Sequence, residues 1–400
     1  MAMVIIGGGH AAAQACASLR QDGYSGEITL IGDEPQLPYQ RPPLSKQYLS
    51  GEQSLDKILL RPEKFYTDQR VTLKLGTRVT GIDGAAHAVT TDAGETVSYE
   101  RLLLATGGRP RRLSIPGSDL AGIHYLRTLA DVDGIRADMA PGRRLVIVGG
   151  GYVGLEVAAV AVTAGLEVHV LEMESRILQR VTTPTMSAYY HALHESRGVH
   201  VHTSTGVTGF RGTDRVHAVL CGDREFPADL VIVGIGIIPN LEIASAAGIE
   251  CGNGIIVDEH CRTSVADIYA AGDCTNHPNP LLGRRLRLES VPNAMEQARV
   301  AAANMCGGSK TYASMPWFWS DQYELKLQMV GFSADGDSQV VRGDMSKNQF
   351  AVFYLKGGAV VSVDAVNSPK EFMVCKQLIG QVVDQDRLAD PATDLKSLTA

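Results

Sequence analysis

A glycine-rich pattern occurs twice in this chain, 142 residues apart: Val4-Ile5-Ile6-Gly7-Gly8-Gly9-His10-Ala11-Ala12 and Val146-Ile147-Val148-Gly149-Gly150-Gly151-Tyr152-Val153-Gly154. Each copy reads as a buried strand, a tight turn and the start of a helix. Each is followed by a second β-branched run, Glu27 to Ile31 and Glu167 to Leu171, that leads into an acid. Asp33 lies 21 residues after Ala12 and Glu172 lies 18 after Gly154, spacings that suit a dinucleotide-binding βαβ unit. In such a unit the first glycine makes the turn, and the second lets backbone N–H groups reach a pyrophosphate at the helix N-terminus. The third small residue lets helix and strand pack closely. Gly7, Gly9 and Ala12 hold these places in the first copy, Gly149, Gly151 and Gly154 in the second. One copy alone is compatible with glycines that only pack; two complete copies imply two dinucleotides.

The acids refine the choice of nucleotide. A carboxylate after the second strand accepts hydrogen bonds from ribose hydroxyls and repels a 2′-phosphate, so Glu172 favours NAD over NADP. Arg176, four residues further on, is a cation that could still approach a 2′-phosphate. Asp33 suits the ribose of an adenine dinucleotide.

The rest of the sequence narrows the classes. Its 400 residues make room for several domains of the usual ~100 to 200 residues, and 44% apolar with 20% charged residues excludes disorder. A net charge of −7 argues against nucleic acid as a partner. The seven cysteines include no C-x-x-C pair and no spacing suited to zinc or an iron–sulfur cluster, so no metal is expected and the expected compartment is the reducing cytoplasm. The longest apolar region, Leu145 to Leu171, is interrupted by Glu156 and Glu167, so no membrane span is expected.

Further strands are expected at Val71–Leu75, Ala88–Thr91, Leu102–Ala105, Leu230–Gly234 and Ile268–Ala271, and a helix at about Asn293–Cys306. After Pro316 a hairpin signal (Phe350–Leu355, Lys356-Gly357-Gly358, Ala359–Val366) precedes a capping box, Ser368-Pro369-Lys370-Glu371, and a helix ending near Gly380. The last dozen residues read as a polar tail.

Five segments then carry a resemblance: Tyr39-Gln40-Arg41-Pro42-Pro43-Leu44-Ser45-Lys46, Ala105-Thr106-Gly107-Gly108-Arg109-Pro110, Gly234 to Asn240, Ala271-Gly272-Asp273 and Pro316 to Gln322. In order and over nearly the whole chain, it resembles the FAD-dependent, NADH-linked ferredoxin reductases of bacterial cytochrome P450 and aromatic-ring dioxygenase systems. The resemblance implies an α/β fold of two Rossmann-like dinucleotide-binding domains, one inserted in the other, plus a C-terminal α+β domain. The boundaries would be 1–111 and 240–316 for FAD, 112–239 for NAD and 317–400 for the last domain. It implies that Gly7, Gly9 and Ala11 hold the FAD pyrophosphate, Asp33 its adenosine ribose and Val79 its adenine. Arg127 would lie along the cofactor, Ala105, Thr106 and Gly107 would form a further cofactor turn, and Gly272 and Asp273 would meet the ribityl region. Val291 would fall at the isoalloxazine, where a helix N-terminus aims its positive end at the ring. For NAD it implies Gly149, Gly151, Gly154, Glu172 and Gly236.

The resemblance also places Pro43 against the flavin, and Lys46 with Glu156 by flavin N5 and the nicotinamide; a surface lysine and a helix-capping glutamate are the plain alternatives. Its implied partner is a [2Fe–2S] ferredoxin, met through Trp319, with a cytochrome P450 as the system served. Such ferredoxins are typically acidic, and on a chain of net charge −7 a local positive patch would have to attract one. Arg284, Arg285 and Arg287 are a better candidate for it than Arg109, Arg111 and Arg112. Other readings are the reductase of an aromatic-ring dioxygenase, or a flavin-bearing signalling protein of the apoptosis-inducing-factor type. A disulfide reductase would need a redox cysteine pair that the sequence lacks.

Overall fold

The computed structural model of the chain describes residues 2–398. Backbone contacts divide it into two compact units. The first is made of the chain up to Arg41, Gln53–Arg109 and Ile237–Pro316. The second takes Pro42–Glu52, Pro110–Gly236 and the chain from Trp317.

The centre of the first unit is a parallel sheet in the order Val71–Lys74, Ile28–Ile31, Ala2–Ile6, Thr96–Leu104, Ile268–Ala270. Ala2–Ile6 is buried at every position, as expected of a parallel strand covered on both faces. On one face pack the helices His10–Gln21 and Val291–Met305, whose Ala12, Ala15, Ala298, Ala301 and Ala302 share one core. These small side chains let the two helices approach closely. The hairpin Val79–Asp83 and Ala88–Thr91 extends the sheet in antiparallel fashion from Thr96–Leu104.

The second unit repeats the theme. Its parallel sheet runs Val199–His202, Glu167–Leu171, Arg144–Val148, Leu230–Val233, Ile123–Tyr125, with the helix Tyr152–Thr163 following the glycine turn. The same unit contains the C-terminal antiparallel sheet, ordered Trp317–Gln322, Leu325–Gly331, Ala359–Val366, Gln349–Lys356, Ser338–Asp344. The fold is therefore α/β, with one Rossmann-like domain inserted in another and a C-terminal α+β domain. The expected Gly357-Gly358 turn has positive φ at both residues (56° and 83°), the geometry that matches strand twist in a two-residue hairpin.

The chain leaves and re-enters the first Rossmann-like domain side by side. Gly108–Pro110 pairs with Ile237–Pro239, Thr106 Oγ1 donates to the Asn240 carbonyl at 2.9 Å, and Asn240 Nδ2 donates to the Thr106 carbonyl at 2.9 Å.

Three local expectations are corrected. The helix expected from Asn293 begins at Val291, capped by Ser290, whose Oγ accepts from the Asn293 N–H at 3.3 Å. No capping box forms at Ser368: its hydroxyl donates to the Val366 carbonyl at 3.0 Å, and Glu371 lies 3.5 Å from Arg342 instead. A reciprocal box forms at Thr128 and Asp131. The C-terminal run is packed down rather than trailing. Leu395 is buried, and the buried Arg342 guanidinium donates to the carbonyls of Leu388, Asp390, Pro391 and Thr393.

Candidate functional site

In the first unit the turn after Ala2–Ile6 is forced by its surroundings. Gly7 has φ +129°, and a Cβ there would lie 2.1 Å from the Ala105 carbonyl oxygen. Gly8 and Gly9 face open space, with nothing within 4 Å of a built Cβ. Gly9 caps the helix His10–Gln21, so the N-terminal end of that helix borders the space. A Cβ on Gly272 (φ +91°) would touch Ala11 and Ala294 at 3.4 and 3.6 Å, which joins the Ala271-Gly272-Asp273 turn to both helices at their N-terminal ends. The Gly272 N–H donates to Gln297 Oε1 at 2.7 Å. This open cradle, bordered by two helix N-termini, fits a dinucleotide pyrophosphate.

Asp33 follows the strand Ile28–Ile31 and lies 3.6 Å from Arg78, the residue before the buried Val79. Val291 opens its helix. Gly107 has φ +58° and accepts from the Asn240 N–H at 3.0 Å. Pro43, Lys46 and Arg127 belong to the second unit; Arg127 there donates its N–H to Asp131 at 3.0 Å.

The second glycine turn is tighter. A Cβ on Gly149 (φ +107°) would meet the Gly234 carbonyl at 2.5 Å, and one on Gly154 would meet the Gly149 carbonyl at 2.4 Å, so these two glycines serve backbone approach. Gly151 is open, with nothing within 4 Å. Glu172 reaches back to the turn: Oε2 accepts from the Gly150 N–H at 2.7 Å and Oε1 from the Glu174 N–H at 2.9 Å. Its carboxylate therefore borders the cradle, where ribose hydroxyls would meet it. Arg176 is committed elsewhere, to the Thr182 carbonyl (2.9 Å), Ser187 Oγ (2.5 Å) and the Gln179 carbonyl (3.0 Å). The cation that the sequence offers for a 2′-phosphate is thus tied down. Gly236 has φ +99° and a carbonyl that accepts from the Arg111 N–H at 2.9 Å.

Lys46 and Glu156 form a buried ion pair, Nζ to Oε2 2.7 Å, with only 8% and 4% of each residue exposed. Ser45 Oγ donates to the same oxygen at 2.5 Å, and Ser320 Oγ donates to Oε1 at 2.6 Å. The plain readings of a surface lysine and a capping glutamate fail, because both charges are inside. Local geometry explains the Ser320 contact. Tyr152 and Glu156 are one helical turn apart on one face, and Phe318 and Ser320 are alternate residues on one strand face. The rises of roughly 6 and 6.6 Å match, so Tyr152 meets Phe318 (ring centroids 5.3 Å) as Glu156 meets Ser320. Ser45, Ser320 and Asn240 were not singled out from the sequence. The alternation of Phe318, Ser320 and Gln322 along one strand is the signal that could have found Ser320.

The docking candidates lie in different settings. Trp317 packs on Phe372 (5.7 Å) with Lys376 Nζ 4.9 Å from its ring, while Trp319 shares its strand face and lies 5.7 Å from it. Arg285 donates to Asn276 and to the Val257 carbonyl, and Arg287 to Asn253 and Glu289. Two of the three grouped arginines are thus committed to neighbouring segments of the same unit, and Glu289 offsets one charge. All seven cysteines are free, and burial pushes the Cys16 and Cys375 thiols up to about 12 and those of Cys261 and Cys274 up as well. None of these four is a ready thiolate nucleophile at neutral pH. No helix among the described residues is long and apolar enough to cross a membrane.

Residues 1–298 match the family model for pyridine nucleotide-disulphide oxidoreductases, and residues 317–399 match the reductase C-terminal domain. The chain is 46% identical to the putidaredoxin reductase CamA of Pseudomonas putida, covering 100% of this chain and 96% of that one. It is equally 46% identical to the 5,5'-dehydrodivanillate O-demethylase ferredoxin reductase subunit of a Sphingobium species, over 99% and 98%. Among solved structures it matches the reductase of the covalent putidaredoxin reductase–putidaredoxin complex with a TM-score of 0.95 and 45% identity, over 99% and 97%.

Proposed function

The chain belongs to the pyridine nucleotide-disulphide oxidoreductase family and carries the reductase C-terminal domain, and from that premise we propose that it is an FAD-dependent NADH:ferredoxin oxidoreductase. Its acceptor is a [2Fe–2S] ferredoxin that serves an oxygenase, with a cytochrome P450 as the first candidate. The observation that carries this reading is that each unit holds its own open glycine cradle, one followed by Asp33, paired with Arg78, and one bordered by Glu172. When bound, FAD takes a hydride from NADH and releases electrons singly, which converts two-electron into one-electron chemistry.

The chain's own residues bind, orient and neutralise. Gly8, Gly9 and the turn at Gly272 would hold the FAD phosphates, and Gly151 those of NADH. Glu172 selects the unphosphorylated adenosine ribose, and Arg176 is not free to reverse that choice. The Lys46–Glu156 pair acts at the nicotinamide end. Its charges are buried and hydrogen-bonded, so they keep a fixed direction and need little rearrangement during hydride transfer. Seven unpaired thiols suit a reducing cytoplasm.

The test is reduction of a panel of [2Fe–2S] proteins by the FAD-loaded enzyme, with NADH and NADPH compared. We expect reduction of at least one ferredoxin and a kcat/KM for NADH at least about tenfold above that for NADPH, with Glu172→Gln narrowing the gap mainly through KM. Failure with every ferredoxin overturns the acceptor assignment. Equal use of both coenzymes by the wild type overturns the role of Glu172.

A further inference from the structure

A line of buried hydrogen bonds runs away from Glu156, and no part of the proposed reaction uses it. Ser320 Oγ, which donates to Glu156, accepts from Gln322 Nε2 at 3.2 Å. Gln322 Oε1 faces His194 Nε2 at 2.8 Å, and His194 Nδ1 faces the Tyr323 hydroxyl at 3.0 Å. Ser320 and His194 are fully buried, and Gln322 is 1% exposed.

The donors in this line all point one way. Gln322 directs its NH2 to Ser320 and its oxygen to His194; that oxygen only accepts, so neutral His194 carries its proton on Nε2 and its Nδ1 accepts from the Tyr323 hydroxyl. With Gln322 donating to it, the Ser320 hydroxyl donates to Glu156. Burial pulls the His194 ring down to about 4, so it is neutral and can serve as both acceptor and donor. The backbone is held in an unusual state to complete the line. Tyr323, in the two-residue turn between Gln322 and Leu325, has φ +55°, a left-handed conformation that is uncommon for an aromatic residue. Arg197 stacks 5.2 Å from its ring and pairs with the neighbouring Glu324.

We propose that His194 is a positioning residue for the Lys46–Glu156 pair, with Tyr323, His194, Gln322 and Ser320 forming a one-directional hydrogen-bonded strut that fixes the plane of the Glu156 carboxylate. The inference rests on the reading that this pair serves hydride transfer. Lys46 and Ser45 both hold Oε2, and among the described residues the strut alone holds Oε1. Without it the carboxylate is free to rotate about its last bond and carry the Lys46 ammonium with it.

The test uses four variants in the FAD-loaded enzyme and one spectroscopic readout. His194→Phe keeps an aromatic ring and removes both hydrogen bonds. His194→Gln keeps a side-chain N–H near the Nε2 position. We expect His194→Phe and Ser320→Ala each to slow the limiting rate of flavin reduction by NADH about tenfold with the apparent Kd for NADH unchanged, and His194→Gln to recover most of the loss. Equal loss in His194→Phe and His194→Gln, or an unchanged rate in Ser320→Ala, overturns the strut. Should His194→Phe not fold, Ser320→Ala and the spectrum still decide. Glu156→Gln separates the two readings: if it leaves flavin reduction unchanged, the role of the pair fails; if it slows reduction while Ser320→Ala does not, only the strut fails. Independently of turnover, 15N spectra of histidine-labelled protein should show His194 as the neutral Nε2–H form from pH 5.5 to 8, although His191 lies near enough to affect it. A His194 signal that titrates with the exposed histidines overturns the proposal.

Discussion

Asp364 lies on the central strand Ala359–Val366 and is 3% exposed, accepting from Thr182 Oγ1 at 2.7 Å and from the Tyr354 hydroxyl at 2.9 Å. Burial pushes its carboxyl up to about 6, against the lowering effect of those two hydrogen bonds. The consequence for stability has a definite sign. As pH rises from the ordinary carboxylate range toward 6, the unfolded chain gives up the Asp364 proton while the native chain keeps it. Stability from this residue is therefore greatest at low pH and declines until pH passes about 6. Asp364→Asn abolishes that slope. Thermal melts at steps between pH 4.5 and 7.5 should show the wild-type Tm falling relative to the variant as pH rises, then levelling; parallel curves would contradict the assignment.

At the level of strands, turns and helices, the four glycines of the second turn region separate two duties that a motif does not distinguish. Gly151→Ala places a methyl in open space at an N-cap with ordinary extended φ and ψ, so the variant should fold with a loss of roughly 1 kcal/mol or less while KM for NADH rises about tenfold or more. Gly154→Ala drives a methyl to 2.4 Å from the Gly149 carbonyl and should cost roughly 1–3 kcal/mol of stability as well. Urea melts beside NADH kinetics check the contrast, and a Gly151→Ala variant as unstable as Gly154→Ala would refute it. Both cradles were legible in the sequence because turn, helix start and strand-end acid are local in the chain. The same holds for the Gly357-Gly358 hairpin. Contacts made across the fold were not legible. Glu371 left its expected capping role for Arg342, the C-terminal run was captured by that same arginine, and Ser320 reached Glu156 only because a strand 164 residues away lies along its helix.

For the molecule as a whole, a net charge of −7 makes a docking face for an acidic partner a local matter. With Arg285 and Arg287 committed to Val257 and Asn253, more weight falls on the aromatic face of the C-terminal sheet. Trp317 is held by Phe372 and Lys376, which makes Trp319 the better test: Trp319→Ala should lower ferredoxin-dependent electron transfer about tenfold and leave NADH-driven ferricyanide reduction as it was. Equal losses with both acceptors would place Trp319 in the fold instead. The seam that joins Gly108–Pro110 to Ile237–Pro239 has a consequence for engineering. Both ends of the inserted domain leave through one short ladder, continued by the Arg111–Gly236 bond at 2.9 Å, so the intervening 125 or so residues behave as a cassette with adjacent termini. A graft of segment 111–236 from an NADPH-using relative has one backbone junction to satisfy, together with the side chains it shares with Lys46, Ser320, Gln322 and Asp364.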